Sequence, residues 1–115
     1  MNKHQMKTWQ DMTDRELLEL AAKAAGIELV WHGDTDPFCF AETVAGIKWN
    51  PLTDNGDALW LAVTLHLTVS VGLSGSTVTD AFRNPLAVIM HDNDPYAATR
   101  RAIVRAAAEI GRSMK

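Results

Sequence analysis

Cysteine is almost absent from this chain of 115 residues, which has a single one, Cys39. An internal disulfide is therefore excluded, and so is a zinc site that needs two thiolates from one chain. A lone thiol suits a reducing compartment. Long apolar runs are also lacking, and no stretch approaches the roughly 20 residues that span a bilayer. The first residues carry positive charge without an apolar segment after it, which is not the pattern of a secretory signal.

An excess of positive charge is lacking as well. Lys and Arg number 11 against 14 Asp and Glu, for a net charge of −3. Bulk electrostatics therefore give no reason to expect nucleic acid or an anionic membrane as a partner. The 47% of apolar and 22% of charged residues are typical of a globular protein. We expect one domain at 13–115 and a poorly ordered extension at 1–12, in which Trp9 is the residue able to dock on the domain.

Two helices have clear start signals. Thr13 and Glu16 have the spacing of a capping box, and Gly26 stands where a left-handed residue ends a helix. Asp94 and Pro95 are an N-cap followed by proline at the first helical position, so they predict the start of a last helix. These signals place one helix near each end of the domain.

The segment WNPLTDNGDA at 49–58 has three interpretations. A calcium loop fails because too few acidic ligands are present. A catalytic pair of carboxylates, Asp54 and Asp57, stays open. We favour the third, a helix entrance, in which Pro51 sets a turn, Asp54 or Asn55 caps, and Asp57 lies near the positive helix end. The helix would run from about 57 to 65. Its predicted buried stripe comprises Leu59, Ala62, Val63 and His66.

Short segments rich in β-branched residues predict the strands. They lie near 27–31, 38–42, 46–49, 67–73, 76–82 and 86–92. The connections are short, so neighbouring strands should be antiparallel. We predict an α+β fold in which one mainly antiparallel sheet of five or six short strands packs with three helices, as in an α-β-α sandwich.

Two predicted loops contain residue types that can ligate metal ions. His32, Asp34 and Asp36 form HGDTD, and His91 and Asp92 begin HDND. If the loops met, imidazoles and carboxylates would together support a small metal-dependent hydrolase or ligand binder. The alternative, which we favour, is that aspartate and glycine are ordinary turn residues. No cofactor is therefore expected.

Nucleophile signals are weak. Cys39 has no helix N-terminus or cation nearby in the sequence to lower the pKa of its thiol, so it is interpreted as filler. Ser74 and Ser76 in GLSGST superficially resemble a nucleophile elbow, but the spacing and the strand-to-helix context do not fit. An enzyme is thus the less favoured reading of the chain.

Two features suggest a binding surface. Arg101, Arg105 and Arg112 form a basic ridge on the last helix, suited to phosphates or an acidic protein. The alternative is a solvated helix face, which we favour. Trp60 would be a binding anchor if exposed and a core residue if buried, and burial is the expectation.

Three blocks resemble a known group of proteins. The blocks GIEL-W, WNPLTDNGDAL-LAV and DPYAATRRAIVRAAAEIG resemble small proteins of tailed phages and prophages, the phage ABA-sandwich domain and more distantly the NinX-like proteins. The likeness covers nearly all of residues 13–112. The most specific parts are 50–59 and 94–107. The resemblance implies a helix–sheet–helix sandwich and an accessory role in the cytoplasm of the bacterial host. It supplies no catalytic residues.

The leading functional hypothesis is a non-enzymatic phage or prophage protein that binds a host or phage macromolecule, for example to inhibit a bacterial defence system. A metal-dependent hydrolase and a weak nucleic-acid binder acting through the last helix are the alternatives. No membrane partner is expected, and the oligomeric state, including a homodimer, stays open.

Overall fold

The computed structural model describes residues 8–33 and 40–114. In this part of the chain the α+β class and the antiparallel pairing are confirmed, with three helices and five short strands. The helices are α1 (Asp14–Ala25), α2 (Asn55–Thr64) and α3 (Pro95–Ser113). The strands are β1 (Leu29–His32), β2 (Phe40–Thr43), β3 (Thr68–Val71), β4 (Gly75–Thr79) and β5 (Pro85–Met90). No helix in the described ranges is long and apolar enough to cross a membrane.

The strands form two sheets, whereas a single sheet was predicted. β1 pairs with β2, and β3, β4 and β5 form a separate sheet in that order. The predicted strand at 46–49 contributes only an isolated bridge between Lys48 and Glu42. A tight turn at Gly46, whose φ is +81°, folds this segment back along β2, where Thr43 N–H donates to the Ile47 carbonyl at 2.8 Å and Trp49 N–H donates to the Ala41 carbonyl at 3.1 Å. The segment therefore lies antiparallel to β2, but its pairing is limited to this one bridge and the two bonds beside it.

Helix α3 lies at the centre of the domain. It packs against α1 on one side and against β4, β5 and α2 on others. Its start is as predicted, because the Asp94 carboxylate accepts hydrogen bonds from Tyr96 N–H at 3.0 Å and Ala97 N–H at 3.1 Å, with Pro95 in the first turn. The buried residues of α3 are mostly small: Ala98, Ala102, Ile103, Val104, Ala106, Ala107, Ala108 and Gly111.

Small residues let α1 approach α3 closely. The α1 capping box is present, with Thr13 and Glu16 bonded reciprocally at 3.1 Å, and Gly26 ends the helix in the left-handed conformation. A Cβ atom added at Gly111 would lie only 2.0 Å from the Leu20 carbonyl oxygen. The two helix backbones are therefore nearly in contact at this point.

Helix α2 begins as the favoured interpretation predicted. Asp54 is the N-cap and accepts from Asp57 N–H at 2.8 Å, while the Asp57 carboxylate accepts from Asn50 N–H at 2.9 Å. Both carboxylates thus hold the helix entrance, and Trp49 beside them is buried.

The buried face of α2 differs from the predicted stripe. Ala58, Leu61 and Ala62 are buried, whereas Leu59 and Val63 are exposed by about two thirds of their surface. The reason is that α2 is apolar around most of its circumference. Periodicity alone therefore does not tell which side of this helix meets the core.

The Gly111→Ala variant tests the α1–α3 contact. Alanine normally stabilises a helix interior by about 1 kcal/mol relative to glycine. Here we expect the opposite, a loss of about 3 kcal/mol in the free energy of unfolding, because the added methyl group meets backbone. Urea unfolding measures it, with the exposed Ser113→Ala as the neighbouring control. An unchanged or raised stability of Gly111→Ala would contradict the close approach.

Asp80 in the β4–β5 loop generates a prediction about pH. Its carboxylate accepts from the Asn84 side chain and from Asn84 and Phe82 N–H at 2.8–2.9 Å, and these bonds hold its pKa below the ordinary 3.8. A lowered pKa adds stability above the unfolded-state value, and this is lost as pH falls through the folded-state pKa. The stability difference between wild type and Asp80→Asn should therefore be constant above about pH 5 and shrink below pH 3.8. Chemical denaturation at several pH values measures it, with Asp92→Asn as the surface control.

Candidate functional site

A groove opens between α2, β3 and the first turns of α3. Its cavity volume of about 590 Å³ is within the range of ligand and peptide pockets. We call it the α2–β3 groove. Its apolar lining comes from Ala58, Leu59, Ala62, Val69, Val71 and Ile103. Asn55, Pro95, Tyr96, Thr99 and Arg100 complete it.

Packing explains why the space is open. Helix α2 packs chiefly on α3. The residues it turns toward the groove floor, Ala58 and Ala62, are too small to fill the distance to Val69 on β3. The groove therefore lies where α2, which is attached to α3, leaves a gap toward β3.

Exposed apolar side chains surround the groove. Leu59, Val71 and Tyr96 line it and are 64%, 60% and 70% exposed. Val63 lies one turn after Leu59 on the same helix and is equally exposed. Trp60 is 47% exposed, so the expected burial is wrong, and its role as a binding anchor stays a prediction. A cluster of this kind is the usual mark of an interaction surface.

Arg100 supplies a fixed positive charge to the groove. Its Nε donates to the Leu52 carbonyl at 2.8 Å and its Nη1 donates to Asn55 Oδ1 at 2.7 Å. Both acceptors are neutral, and Arg100 forms no ion pair within residues 8–33 and 40–114. The guanidinium is thus held in place while its charge has no counter-ion in the described structure.

The basic ridge is engaged by the protein itself. Arg101 forms an ion pair with Asp14 at 2.8 Å, at the start of α1. The guanidinium groups of Arg105 and Arg112 lie over the ring of Trp9, 5.6 and 5.0 Å from its centroid. Trp9 therefore docks on α3, and the ridge attaches α1 and the preceding segment to the central helix.

Those proposed metal ligands that the structure describes do not lie together. His32 Nε2 lies 2.6 Å from Glu42 Oε1, and its ring stacks on Phe40. Asp34 and Asp36 lie outside the described residues, as does Cys39. Within the described ranges no group of three or more His, Cys, Asp or Glu is placed to hold a metal ion. The remaining two candidates, His91 and Asp92, follow β5 in the other sheet.

The structure contains a hydrogen-bonded chain of polar side chains that was not predicted from the sequence. Ser76 is fully buried, and its Oγ lies 2.8 Å from His91 Nε2 and 2.7 Å from Thr99 Oγ1. Thr99 Oγ1 in turn donates to the Pro95 carbonyl at 2.7 Å. Alternation in β4, which puts Ser76 on the same face as buried Val78, was the available signal.

The number of donors and acceptors determines which group donates in each of these hydrogen bonds. The Pro95 carbonyl only accepts, so the Thr99 hydroxyl donates to it and accepts from Ser76. The Ser76 hydroxyl must then accept from His91, whose Nε2 carries a proton. A nitrogen that already holds a proton does not activate Ser76 as a base. Despite its short Ser–His distance, the arrangement is structural.

The Ser76→Ala variant tests the chain. Removing the buried hydroxyl leaves the partly buried His91 Nε2–H without its acceptor and Thr99 without the bond from Ser76, so we expect a loss of about 2 kcal/mol in the free energy of unfolding. The exposed Ser70→Ala is the matched control and should change stability by less than about 0.5 kcal/mol. Long-range ¹⁵N–¹H NMR should show a proton on His91 Nε2 in the wild type. A neutral ring protonated on Nδ1 instead would contradict the assigned direction.

The α2–β3 groove thus combines an apolar floor, exposed apolar rims and one fixed cation, Arg100. The other polar clusters hold the fold together: Asp54 and Asp57 at the start of α2, and Ser76 and His91 beside α3. No known protein family, curated protein or solved structure matches this chain.

Proposed function

We propose that this protein is a non-enzymatic accessory protein of the phage or prophage type that its blocks at 50–59 and 94–107 resemble, and that it acts by binding a host or phage protein through the α2–β3 groove. One observation carries the proposal: apolar side chains of α2, β3 and α3 stand exposed around a single groove. Blocking a bacterial defence protein is one use that such binding would serve.

The energetics favour a protein partner. Burying a leucine- or valine-sized side chain contributes roughly 1.5–3 kcal/mol when it is fully exposed beforehand. Leu59, Val63, Val71 and Tyr96 retain about two thirds of their surface, so covering them offers several kcal/mol. Trp60 is not among the residues that line the groove, but it is half-exposed on α2 and stays a candidate contact.

The other functional hypotheses have less support. A phosphate-binding ridge would need Arg101, Arg105 and Arg112 to leave Asp14 and Trp9. A net charge of −3 adds no general attraction for nucleic acid. The metal-dependent hydrolase stays a prediction, and the bonds of His32 to Glu42 and of His91 to Ser76 give it no support.

The Leu59→Asp variant tests the proposed function. We expect a partner captured from host lysate by the wild type to bind this variant on the order of 30-fold more weakly, the effect of losing a hot spot of about 2 kcal/mol. Quantitative affinity capture followed by titration with the identified partner measures this.

Two control variants make the result specific. Val88→Asp introduces the same charge at an exposed valine on β5, outside the groove lining, and should bind as wild type does. Arg101→Glu should also bind normally. Equal binding by Leu59→Asp would overturn the proposal, and loss of binding by Arg101→Glu alone would move the interface to the ridge.

A further inference from the structure

Strand β3 is an open edge of its sheet. It has β4 on one side and, among the described residues, no strand on the other. Gly72 N–H donates to the Gly75 carbonyl at 2.9 Å. Together with the register of the pair, this bond determines which residues of β3 direct their backbone groups toward β4. By the alternation of an antiparallel pair, Thr68 and Ser70 turn their backbone groups toward β4. Val69 and Val71 therefore turn their N–H and C=O groups outward.

The edge at β3, though short, lacks charge, proline and a bulge. Its sequence, TVSV, contains no charge and no proline, and its pairing with β4 is regular. The opposite edge, β5, begins with Pro85 and has a register shift beside it, between Val78 and Thr79. Charges, prolines and bulges are the devices by which sheet edges avoid pairing with other chains. β3 is thus the edge able to accept another strand.

The open edge and the groove belong to the same surface. Val69 and Val71, whose backbone groups point outward, also line the α2–β3 groove with their side chains. Directly paired residues of adjacent strands present their side chains on the same face of a sheet. A strand added beside β3 would therefore direct every second side chain toward the groove, at intervals of about 6.7 Å.

Charge complementarity adds a polar requirement. Arg100 lines the same groove, is held by neutral acceptors, and has no counter-ion in the described structure. An anion bound beside it gains a charge-assisted hydrogen bond in an apolar setting. A carboxylate of the incoming strand is the group that supplies this in a protein partner.

We propose that the α2–β3 groove receives an extended segment of the partner protein, which joins the sheet as a strand beside β3. The segment has apolar side chains at alternate positions and a carboxylate that meets Arg100. This inference rests on the proposed function and names the class of its partner segment. A helical segment would leave the outward groups of Val69 and Val71 unpaired, whereas a strand satisfies them.

Two synthetic ten-residue peptides of identical composition serve as probes, in fluorescence polarisation with the full chain. One alternates valine with threonine and ends in glutamate, and the other places the same valines at helical spacing. We expect the alternating peptide to bind at least tenfold more tightly. Replacing its glutamate by glutamine should weaken binding about tenfold, because the contact with Arg100 is lost.

Two variants of one residue separate backbone from side-chain effects. Val71→Ala removes part of the groove lining but keeps the outward N–H group. Val71→Pro removes that N–H as well, at an edge position where proline leaves the β3–β4 ladder intact. Circular dichroism checks that both fold. We expect Val71→Pro to bind the alternating peptide at least tenfold more weakly than Val71→Ala does.

Each contrary result identifies which idea fails. Equal binding by Val71→Pro and Val71→Ala, tighter binding of the helical-spacing peptide, or no binding of either peptide at millimolar concentration overturns strand addition. The proposed function survives these results if Leu59→Asp still loses the captured partner. A wild-type dimer in light scattering that becomes monomeric in Val71→Pro would show that a second copy occupies the edge, and would likewise overturn the inference.

Discussion

Helix α3 comes so close to α1 that there is no room for a methyl group between Gly111 and the Leu20 carbonyl. This approach determines how a short chain builds its core. The fully buried positions of α3 are four alanines and Val104, so this helix packs through backbone proximity more than through large side chains. Because the same helix also packs against the three-stranded sheet and α2, a shift at the α1 contact would be transmitted to both.

The groove follows from this arrangement. Helix α2 is attached to α3 through small residues and through Arg100, which bonds to the Leu52 carbonyl and to Asn55. This attachment leaves the side of α2 that carries Leu59 without a neighbour. An exposed apolar surface thus lies beside an unpaired strand edge. No described residue covers this surface, and no described strand pairs with this edge. This side of the molecule therefore presents both exposed apolar side chains and unpaired backbone groups.

Local chemistry explains what was predictable. The caps at Thr13, Asp54 and Asp94 depend on residues two or three positions apart, so the sequence alone reveals them. The division into two sheets depends on which strands pair, β1 with β2 and β3 with β4 and β5, and local patterns do not encode this choice. The exposed side of α2 was not predictable, because its apolar residues surround the helix.

The candidate site shows the same limit. Arg101, Arg105 and Arg112 were correctly grouped on α3, but their partners lie far away in sequence, at Asp14 and Trp9. The bond from His91 to Ser76 spans 15 residues and two strands, and neither residue suggests it alone. The groove joins three elements that are separate in sequence, so only the folded chain reveals it.

The buried polar chain has a consequence for recognition. Thr99 both lines the groove and closes the chain that runs from His91 through Ser76 to the Pro95 carbonyl. One wall of the groove is therefore tied through hydrogen bonds to the sheet beneath it. A partner would meet a preorganised wall, and less conformational entropy would be lost on binding than with a loop that must first become ordered.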